Sequence, residues 1–490
     1  MHVQSFRLKR SGKEKSPPVK LKMNIINSDA GDFSTPLRYA RNDGIKKVNN
    51  MNWEQLLSPK REARAQSVAD IRNEFQRDYD RIIFSNIFHR LQNKTQVFAL
   101  PGAKLVHNRL THSLEVASVG RSIARKVSKF LIDKYGTSFH DVIYDIDTIV
   151  STACLAHDLG NPPFGHSGEE TMSSYFKFGE GLKLQSQIPE NQWTDLISFE
   201  GNANAFRQLT HQFAGRREGG LSLTYASLAT LIKYPYPSFG KGDRKKYNVF
   251  NSEIKQFEKV MEGCGIPRLD SEKPIYARHP LSYMMEAADD ICYLILDMED
   301  AHKRGIIQTV DIEKHFMAFF DEANKEEAWF FERRDHVFRT VTDANERMAF
   351  LRATVINKLV DCVSKVFIEN YDDIMAGTFK GSLIAHLPKH ENDALEGCRS
   401  FSVPNIYKHP SVVKIEVRGY NIIGSLMNEF VDAVLHPDSG YHKRLMSIIP
   451  DQFKTEKDDL YSKIQVVLDY ISNMTDLYAV QLYKDLRGIE

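Results

Sequence analysis

Side chains that can bind a metal ion are grouped in the first third of the 490-residue chain. His157 and Asp158 are consecutive and close an apolar stretch, and Gly160 follows them as a residue that can take the left-handed conformation common at helix ends. His112 adds a second imidazole near the start of another amphipathic stretch. Mixed nitrogen and oxygen donors of this kind bind divalent first-row metals. The pattern therefore predicts a metal site.

A fourth donor, Asp289, stands in a stretch of apolar residues further along the chain. Its neighbours include Ala287, Ala288, Ile291 and Leu294. A buried carboxylate must be paired or bound to a metal. Taken singly, a histidine at a helix end is more often a cap and an Asp-Asp pair a solvated face, so the prediction depends on the combination. We expect the two imidazoles, Asp158 and Asp289 to converge on one ion.

The elements that must position these donors are helices. From Arg64 onward apolar residues recur at steps of three and four, which is typical of amphipathic helices, and period-two alternation is scarce. The clearest stretches run from Leu114 to Leu131, Ile149 to Leu159, Tyr283 to Met298, Leu351 to Ile368 and Ile422 to Leu435. We predict an all-α fold, with a helical core over residues 51–310 and a helical C-terminal region over residues 311–490.

Composition and charge exclude several classes of protein. Lys and Arg number 65 against 64 Asp and Glu, so the net charge of +1 argues against a dedicated nucleic-acid coat protein. No apolar stretch reaches the ~20 residues needed to span a bilayer, and no secretory signal is evident, so we expect no membrane and a cytoplasmic location. The 5 cysteines are scattered without a C-x-x-C pair, which excludes a disulfide framework and a thiolate metal site.

The first 50 residues differ from the rest of the chain. They carry 11 Lys and Arg against 4 Asp and Glu, with no sustained apolar period. Such a segment is typical of a flexible extension. A basic arm can contact nucleic acid or an anionic surface, but the simpler interpretation is a solvated extension, and we assign it no function.

Longer blocks surround the predicted ligands and carry a family resemblance. They run from Arg90 to Phe98, Arg109 to Val116, His157 to His166, Phe199 to Ala203, Met285 to Ile291, Ala376 to Phe379 and Tyr470 to Tyr478. With HDLGNPPFGH, RLTHS and EAADDI in this order, the chain resembles the HD-domain phosphohydrolases, and among them the bacterial deoxyguanosine triphosphate triphosphohydrolases. The resemblance extends from about Met51 to the C-terminus, so residues 1–50 have no counterpart in it.

The resemblance implies a metal-dependent hydrolase. His112, the His157-Asp158 doublet and Asp289 match its H…HD…D ligand set, which holds one divalent ion per active site. Mn, Fe, Co or Ni suits the mixed donors, and Mg can accompany the phosphates. The implied reaction is hydrolysis of a deoxynucleoside triphosphate at the α-phosphorus, and dGTP is the expected substrate. It releases the deoxynucleoside and tripolyphosphate and controls the nucleotide pool.

The resemblance also assigns catalytic residues. His166 matches the family's acid or base and would protonate the departing 5′ oxygen, while Glu169 would orient and charge the imidazole. A spacing of three residues places both side chains on one face if a helix begins at His166. The alternative is that His166 only caps that helix.

Substrate contacts are implied in the same way. Asp289, Tyr293 and Asp297 step by four residues and so lie along one stripe of a helix. The resemblance implies that Tyr293 packs against the deoxyribose and that Asp297 and Gln96 bind its 3′-hydroxyl. Phosphate contacts are implied for Arg109, Asn202, Lys233 and Tyr234. On periodicity alone, a core tyrosine with a solvated aspartate is an equally good interpretation of the stripe.

Partners and rival functions complete the expectations. The resemblance implies a homo-oligomer, a hexamer by analogy, with the C-terminal region contributing to the substrate pocket and the subunit interface. A single-stranded DNA or nucleotide effector is a further expectation. The alternatives are an HD-type phosphodiesterase or nucleotidase acting on another nucleotide, and a nucleic-acid or nucleotide-binding regulator. The presence of all four ligands argues against a degenerate regulator.

Overall fold

The computed structural model describes residues 50–62, 72–98, 107–136, 144–216 and 218–489. Across these ranges every regular element is a helix, and pairing of extended backbone is limited to three isolated bridges. The predicted all-α fold is confirmed. The predicted N-terminal extension lies outside the described residues, apart from Asn50.

The helices are numbered in chain order. They are α1 (Trp53–Leu56), α2 (Glu74–Ile83), α3 (Asn86–Arg90), α4 (Arg109–Tyr135), α5 (Ile146–Ala156), α6 (His166–Lys177), α7 (Glu190–Leu196), α8 (Gly201–Thr210), α9 (Tyr225–Leu231), α10 (Ile254–Gly263), α11 (Pro280–Lys303), α12 (Thr309–Met317), α13 (Ala328–Thr340), α14 (Ala344–Glu369), α15 (Tyr371–Ala376), α16 (Lys389–Ser402), α17 (Pro410–Leu435), α18 (Gly440–Ile448), α19 (Leu460–Ser472) and α20 (Asp476–Arg487).

Shorter helical turns connect several of these elements. The 3₁₀ turns are Leu91–Asn93, Glu180–Gln187, Ser238–Gly240, Asn251–Glu253, Lys325–Glu327, Ile384–His386 and Asp451–Phe453. A single π-helical turn, Val403–Tyr407, lies between α16 and α17. Turns of this type occur often at functional sites.

The predicted helical stretches coincide with α4, α5, α11, α14 and α17. Only α5 is shorter than expected, because it ends at Ala156 rather than at Leu159. After the helix the main chain forms turns, in which Leu159 N donates to Ala156 O at 3.1 Å and Asn161 N donates to Asp158 O at 3.2 Å. Pro162 and Pro163 follow, and a proline has no N–H with which to continue a helix.

Two apolar clusters form the interior of the described chain. The larger one joins α4, α5, α11 and α14, and α11 is its centre because most of its side chains are buried. The second cluster joins α6 and α7 to α17, α19 and α20. The segment between α5 and α6 therefore lies where the C-terminal helices pack. None of the described helices is long and apolar enough to cross a membrane.

Candidate active site

The first turn of α4 presents Arg109 and His112. Asn108 precedes the helix and accepts a hydrogen bond from Thr111 N, while the Thr111 hydroxyl accepts one from Asn108 N. This reciprocal capping box fixes where α4 begins. The first turn is thus held in one orientation, and the Arg109 and His112 side chains are both buried.

His157 is held in one tautomer by the end of α5. Its Nδ1 donates to the carbonyl oxygen of Cys154 at 2.6 Å, one turn back along the chain. In the neutral ring, the Nε2 atom is then the unprotonated nitrogen. This Nε2 is buried and has no hydrogen-bond partner. A buried lone pair without a donor is what a metal ligand requires.

Four donor groups converge at this point. Nε2 of His112 and Nε2 of His157 each lie 3.3 Å from Asp289 Oδ1. Ligand atoms of His112, His157 and Asp158 lie within 4.8 Å of one another. This His-His-Asp group could hold a metal ion, and its two nitrogens and one oxygen fit a divalent first-row ion.

Two cations stabilise the carboxylates of the cluster. Arg109 Nη1 lies 2.9 Å from Asp158 Oδ2, and Lys233 Nζ donates to Asp289 Oδ2 at 2.5 Å. Burial raises the pKa of Asp158, but nearby positive charge, foremost that of Arg109, outweighs it and lowers that pKa to about 2. For Asp289, nearby positive charge, foremost that of Lys233, likewise overcomes burial and holds the pKa well below its ordinary value. Both groups are therefore carboxylates at neutral pH.

The loop between α5 and α6 depends on close contacts at its glycines. Gly160 does not take the predicted left-handed conformation. A Cβ there would instead lie 2.1 Å from both Ala205 N and Gly201 O, so glycine is needed because α8 packs directly against the loop. Phe164 has a φ of 63°, which is rare for a residue with a side chain.

The predicted pair of His166 and Glu169 is present on the first turn of α6. His166 Nδ1 lies 2.7 Å from Glu169 Oε2, and Gly201 N donates to Glu169 Oε1 at 2.7 Å. Burial opposes ionisation of Glu169, but the adjacent His166 lowers its pKa below the ordinary value. The carboxylate is thus oriented on both oxygens, and the imidazole is free to use Nε2.

One cavity contains most of the residues selected from the sequence. It is lined by the four converging donors and by the His166–Glu169 pair. Five of the predicted substrate contacts also line it: Gln96, Arg109, Asn202, Lys233 and Tyr293. Tyr234 and Asp297 do not line it. Tyr234 packs beside Tyr236, with ring centroids 6.4 Å apart. Asp297 is buried behind the wall and accepts a hydrogen bond from Tyr407 Oη at 2.8 Å.

The cavity also contains residues that the sequence analysis did not select. These are Thr95, Val97, Asn161, Glu200, Lys246, Tyr407, Val412, Ile415 and Glu416, with the loop residues Phe164, Gly165 and Ser167. Lys246 stands in a run of basic residues of the kind usually found in solvent. Tyr407 comes from the π-helical turn and stacks on Tyr293, with ring centroids 5.8 Å apart and planes 16° apart. Neither had a distinguishing sequence signal.

Comparison with known proteins agrees with this geometry. The HD domain family matches residues 109–216, and the phosphohydrolase-associated domain matches residues 385–485. HD domains are metal-dependent phosphohydrolase domains. The first match contains the converging histidines, and the second contains the C-terminal helices that pack near the loop between α5 and α6.

Full-length relatives carry one common name. A deoxyguanosinetriphosphate triphosphohydrolase-like protein of Synechocystis sp. is 37% identical over 456 residues, which cover 90% of this chain and 100% of the relative. Proteins of the same name from Pseudomonas aeruginosa and Listeria monocytogenes are each 33% identical. These alignments cover 89% and 90% of this chain, and 99% and 100% of the relatives.

Proposed function

The chain belongs to the deoxyguanosinetriphosphate triphosphohydrolase-like family of HD-domain phosphohydrolases, and we propose that it hydrolyses deoxynucleoside triphosphates, dGTP first among them. The products are the deoxynucleoside and tripolyphosphate. The observation that carries this proposal is one cavity in which the metal-binding group, an imidazole–carboxylate pair and several cations face one another.

In this proposal the metal ion is held by His112, His157, Asp158 and Asp289. A divalent ion bound there supplies Lewis-acid polarisation of a phosphoryl oxygen and lowers the pKa of water. Mn, Fe, Co or Ni fits the imidazoles better than Mg, which prefers oxygen ligands. Because the pKa of each carboxylate is held below its ordinary value, both are ready to bind a cation at neutral pH.

His166 acts as the general acid in the proposed reaction. Its Nδ1 is occupied by Glu169, so the proton on Nε2 is the one available to the 5′ oxygen that leaves phosphorus. Glu169 stabilises the charged imidazole and fixes the ring. The deoxynucleoside then departs as a neutral alcohol rather than as an alkoxide.

The polyphosphate and the sugar occupy the rest of the cavity. Arg109, Lys233 and Lys246 supply positive charge for the phosphates, and we assign Asn202 and Tyr234 supporting contacts there. Gln96 Oε1 is buried without a hydrogen-bond partner and suits the 3′-hydroxyl as an acceptor.

Two aromatic rings form the sugar side of the cavity in this proposal. The rings of Tyr293 and Tyr407 stack on each other, and a deoxyribose packed against them would disfavour a 2′-hydroxyl. Asp297 would bind the 3′-hydroxyl once Tyr407 releases its carboxylate. Deoxynucleotides are therefore the expected substrates.

Product analysis tests the proposal. Purified protein with Mn²⁺ is incubated with each of the four deoxynucleoside triphosphates and with GTP, and products are resolved by ion-exchange chromatography. We expect deoxynucleoside and intact tripolyphosphate from the deoxynucleotides and no cleavage of GTP. Release of orthophosphate or pyrophosphate would favour a phosphodiesterase or nucleotidase, and the absence of any cleavage would favour a nucleotide-binding regulator.

We further propose that the protein forms a homo-oligomer and controls deoxynucleotide pools in the cytoplasm. A nucleotide or single-stranded DNA effector belongs to the same proposal. The family membership supports these statements. Light scattering of the purified protein, with and without nucleotide or DNA, measures the assembly directly, and a monomer under all conditions would contradict it.

A further inference from the structure

The connection between α19 and α20 reaches the catalytic loop through one buried carboxylate. We call this segment, Ser472 to Asp476, the C-terminal connector. Asp476 Oδ1 accepts a hydrogen bond from Phe164 N at 3.0 Å, and Asp476 Oδ2 accepts one from Thr95 N at 2.9 Å. Both carboxylate oxygens thus accept hydrogen bonds from main-chain N–H groups of segments that are distant in the sequence.

These two N–H groups stand next to residues of the proposed chemistry. Thr95 immediately precedes Gln96, and Phe164 is two residues before His166. Phe164 also has a φ of 63°, a conformation that costs energy unless the surroundings enforce it. The Asp476 carboxylate, itself 4% exposed, provides such enforcement. It therefore ties together the two main-chain segments that carry Gln96 and His166.

A buried lysine joins the same connector to the metal side of the cavity. Lys94 Nζ donates to Ser472 O at 2.8 Å and to Asn161 O at 2.6 Å. The Asn161 side chain in turn donates from Nδ2 to Asp158 Oδ1. Lys94 is 3% exposed, so its amine depends on these carbonyl oxygens as hydrogen-bond acceptors. A continuous chain of contacts thus links the connector to Asp158.

We propose that Lys94 and Asp476 are positioning residues through which the C-terminal connector aligns two sides of the active site. Lys94 holds Asn161 and so orients Asp158 toward the metal. Asp476 holds the main chain on either side of the cavity and so places Gln96 and His166. Neither residue lines the cavity, so each acts through its partners. The inference rests on the proposed function for the roles of the residues that are positioned.

The first test is Asp476→Asn in the full-length protein. Asparagine has nearly the same shape but replaces one acceptor oxygen by an NH₂ group, which faces a main-chain N–H. We expect kcat to fall about 10- to 100-fold and KM for dGTP to rise, because the acid and Gln96 are displaced. The affinity for Mn²⁺, measured by electron paramagnetic resonance without substrate, is expected to stay unchanged. Asp485→Asn, an exposed change on the same helix, is the matched control.

The second test is Lys94→Met, which keeps the length of the side chain and removes its donors. We expect the dissociation constant for Mn²⁺ to rise about 10- to 100-fold, as is typical when a group that orients a metal ligand is lost. Adding Lys94→Met to Asn161→Ala should then have little further effect, because both changes break one chain of contacts.

The outcomes separate positioning from general stability. The proposal would be overturned if Asp476→Asn and Lys94→Met lowered Mn²⁺ affinity and kcat to the same extent. It would also be overturned if both variants kept the wild-type Mn²⁺ affinity and the wild-type kcat. If Lys94→Met does not fold, the kcat and Mn²⁺ results for Asp476→Asn decide it. If the wild-type protein cleaves no deoxynucleotide, the proposed function fails, but the Mn²⁺ measurements on Lys94 still test the inference.

Discussion

The two ring nitrogens of His157 have different roles in the candidate site. Nδ1 is committed to the Cys154 carbonyl oxygen, and this leaves Nε2 buried and without a hydrogen-bond partner. Asp158 and Asp289 are each paired with a cation, Arg109 or Lys233, and so stay ionised inside the protein. Both side chains are therefore in the form that can bind a metal ion.

Alanine at a proposed ligand should remove the metal and the activity together. For His112→Ala, Asp158→Ala and Asp289→Ala we expect metal content, measured by plasma mass spectrometry, to fall well below one ion per chain, with loss of turnover. Removing a carboxylate also leaves a buried cation unpaired, so some loss of stability is expected. A fully metallated Asp289→Ala protein would contradict its assignment as a ligand.

Substitution of His166 should separate metal binding from catalysis. We expect His166→Ala to retain its metal and to lose about 100-fold or more in kcat, because the leaving oxygen is no longer protonated. Glu169→Gln should also retain the metal and lower kcat, since the carboxylate that orients the imidazole is gone. Loss of metal from His166→Ala would show that this histidine is a ligand instead.

Among the elements, α4 and α11 are joined by a partly buried histidine. His107 Nδ1 lies 2.8 Å from Asp300 Oδ1, and His107 Nε2 lies 3.1 Å from Glu115 Oε1. Burial opposes the charged ring, but hydrogen bonds to Asp300 and Glu115 raise its pKa to about 10. His107 is therefore a charged link between the helix that carries His112 and the helix that carries Asp289.

This link predicts a particular dependence of stability on pH. The raised pKa favours the folded state fully below the ordinary histidine pKa of about 6.5, and the contribution is lost as pH rises toward 10. The free energy of unfolding should thus fall by up to about 1.4 kcal/mol per pH unit within this window. Urea titrations between pH 6 and 10 measure it. His107→Gln should remove this slope, the exposed His89→Gln should keep it, and an unchanged slope in His107→Gln would contradict the account.

The helices themselves were predictable, whereas their exact contacts were not. The apolar periodicity of α4, α5, α11, α14 and α17 marks a buried face directly in the sequence. The need for glycine at position 160 was assigned to the wrong cause, because close packing of α8 on the loop is a tertiary contact without a local signal. The His166–Glu169 contact was predictable because its two residues lie one turn apart.

At the scale of the whole molecule, the cavity is assembled from segments far apart in the chain. The candidate metal donors could be selected from the sequence, since imidazoles and carboxylates are rare in apolar stretches. Lys246 and Tyr407 were missed because a basic run and a tyrosine near a proline are common on surfaces and in cores alike. The second apolar cluster joins α6 to the C-terminal helices. Periodicity alone does not predict it, because periodicity marks the apolar face of a helix but not the helix that packs against it.

In the proposed reaction, water attacks the α-phosphorus while a single cavity holds the metal, the acid and the polyphosphate. Hydrolysis of dGTP in ¹⁸O-labelled water, followed by mass spectrometry of both products, tests it most directly. Attack at the α-phosphorus breaks the bond between phosphorus and the 5′ oxygen, so the account predicts one ¹⁸O in tripolyphosphate and none in deoxyguanosine. Label in deoxyguanosine, or in orthophosphate or pyrophosphate, would contradict it.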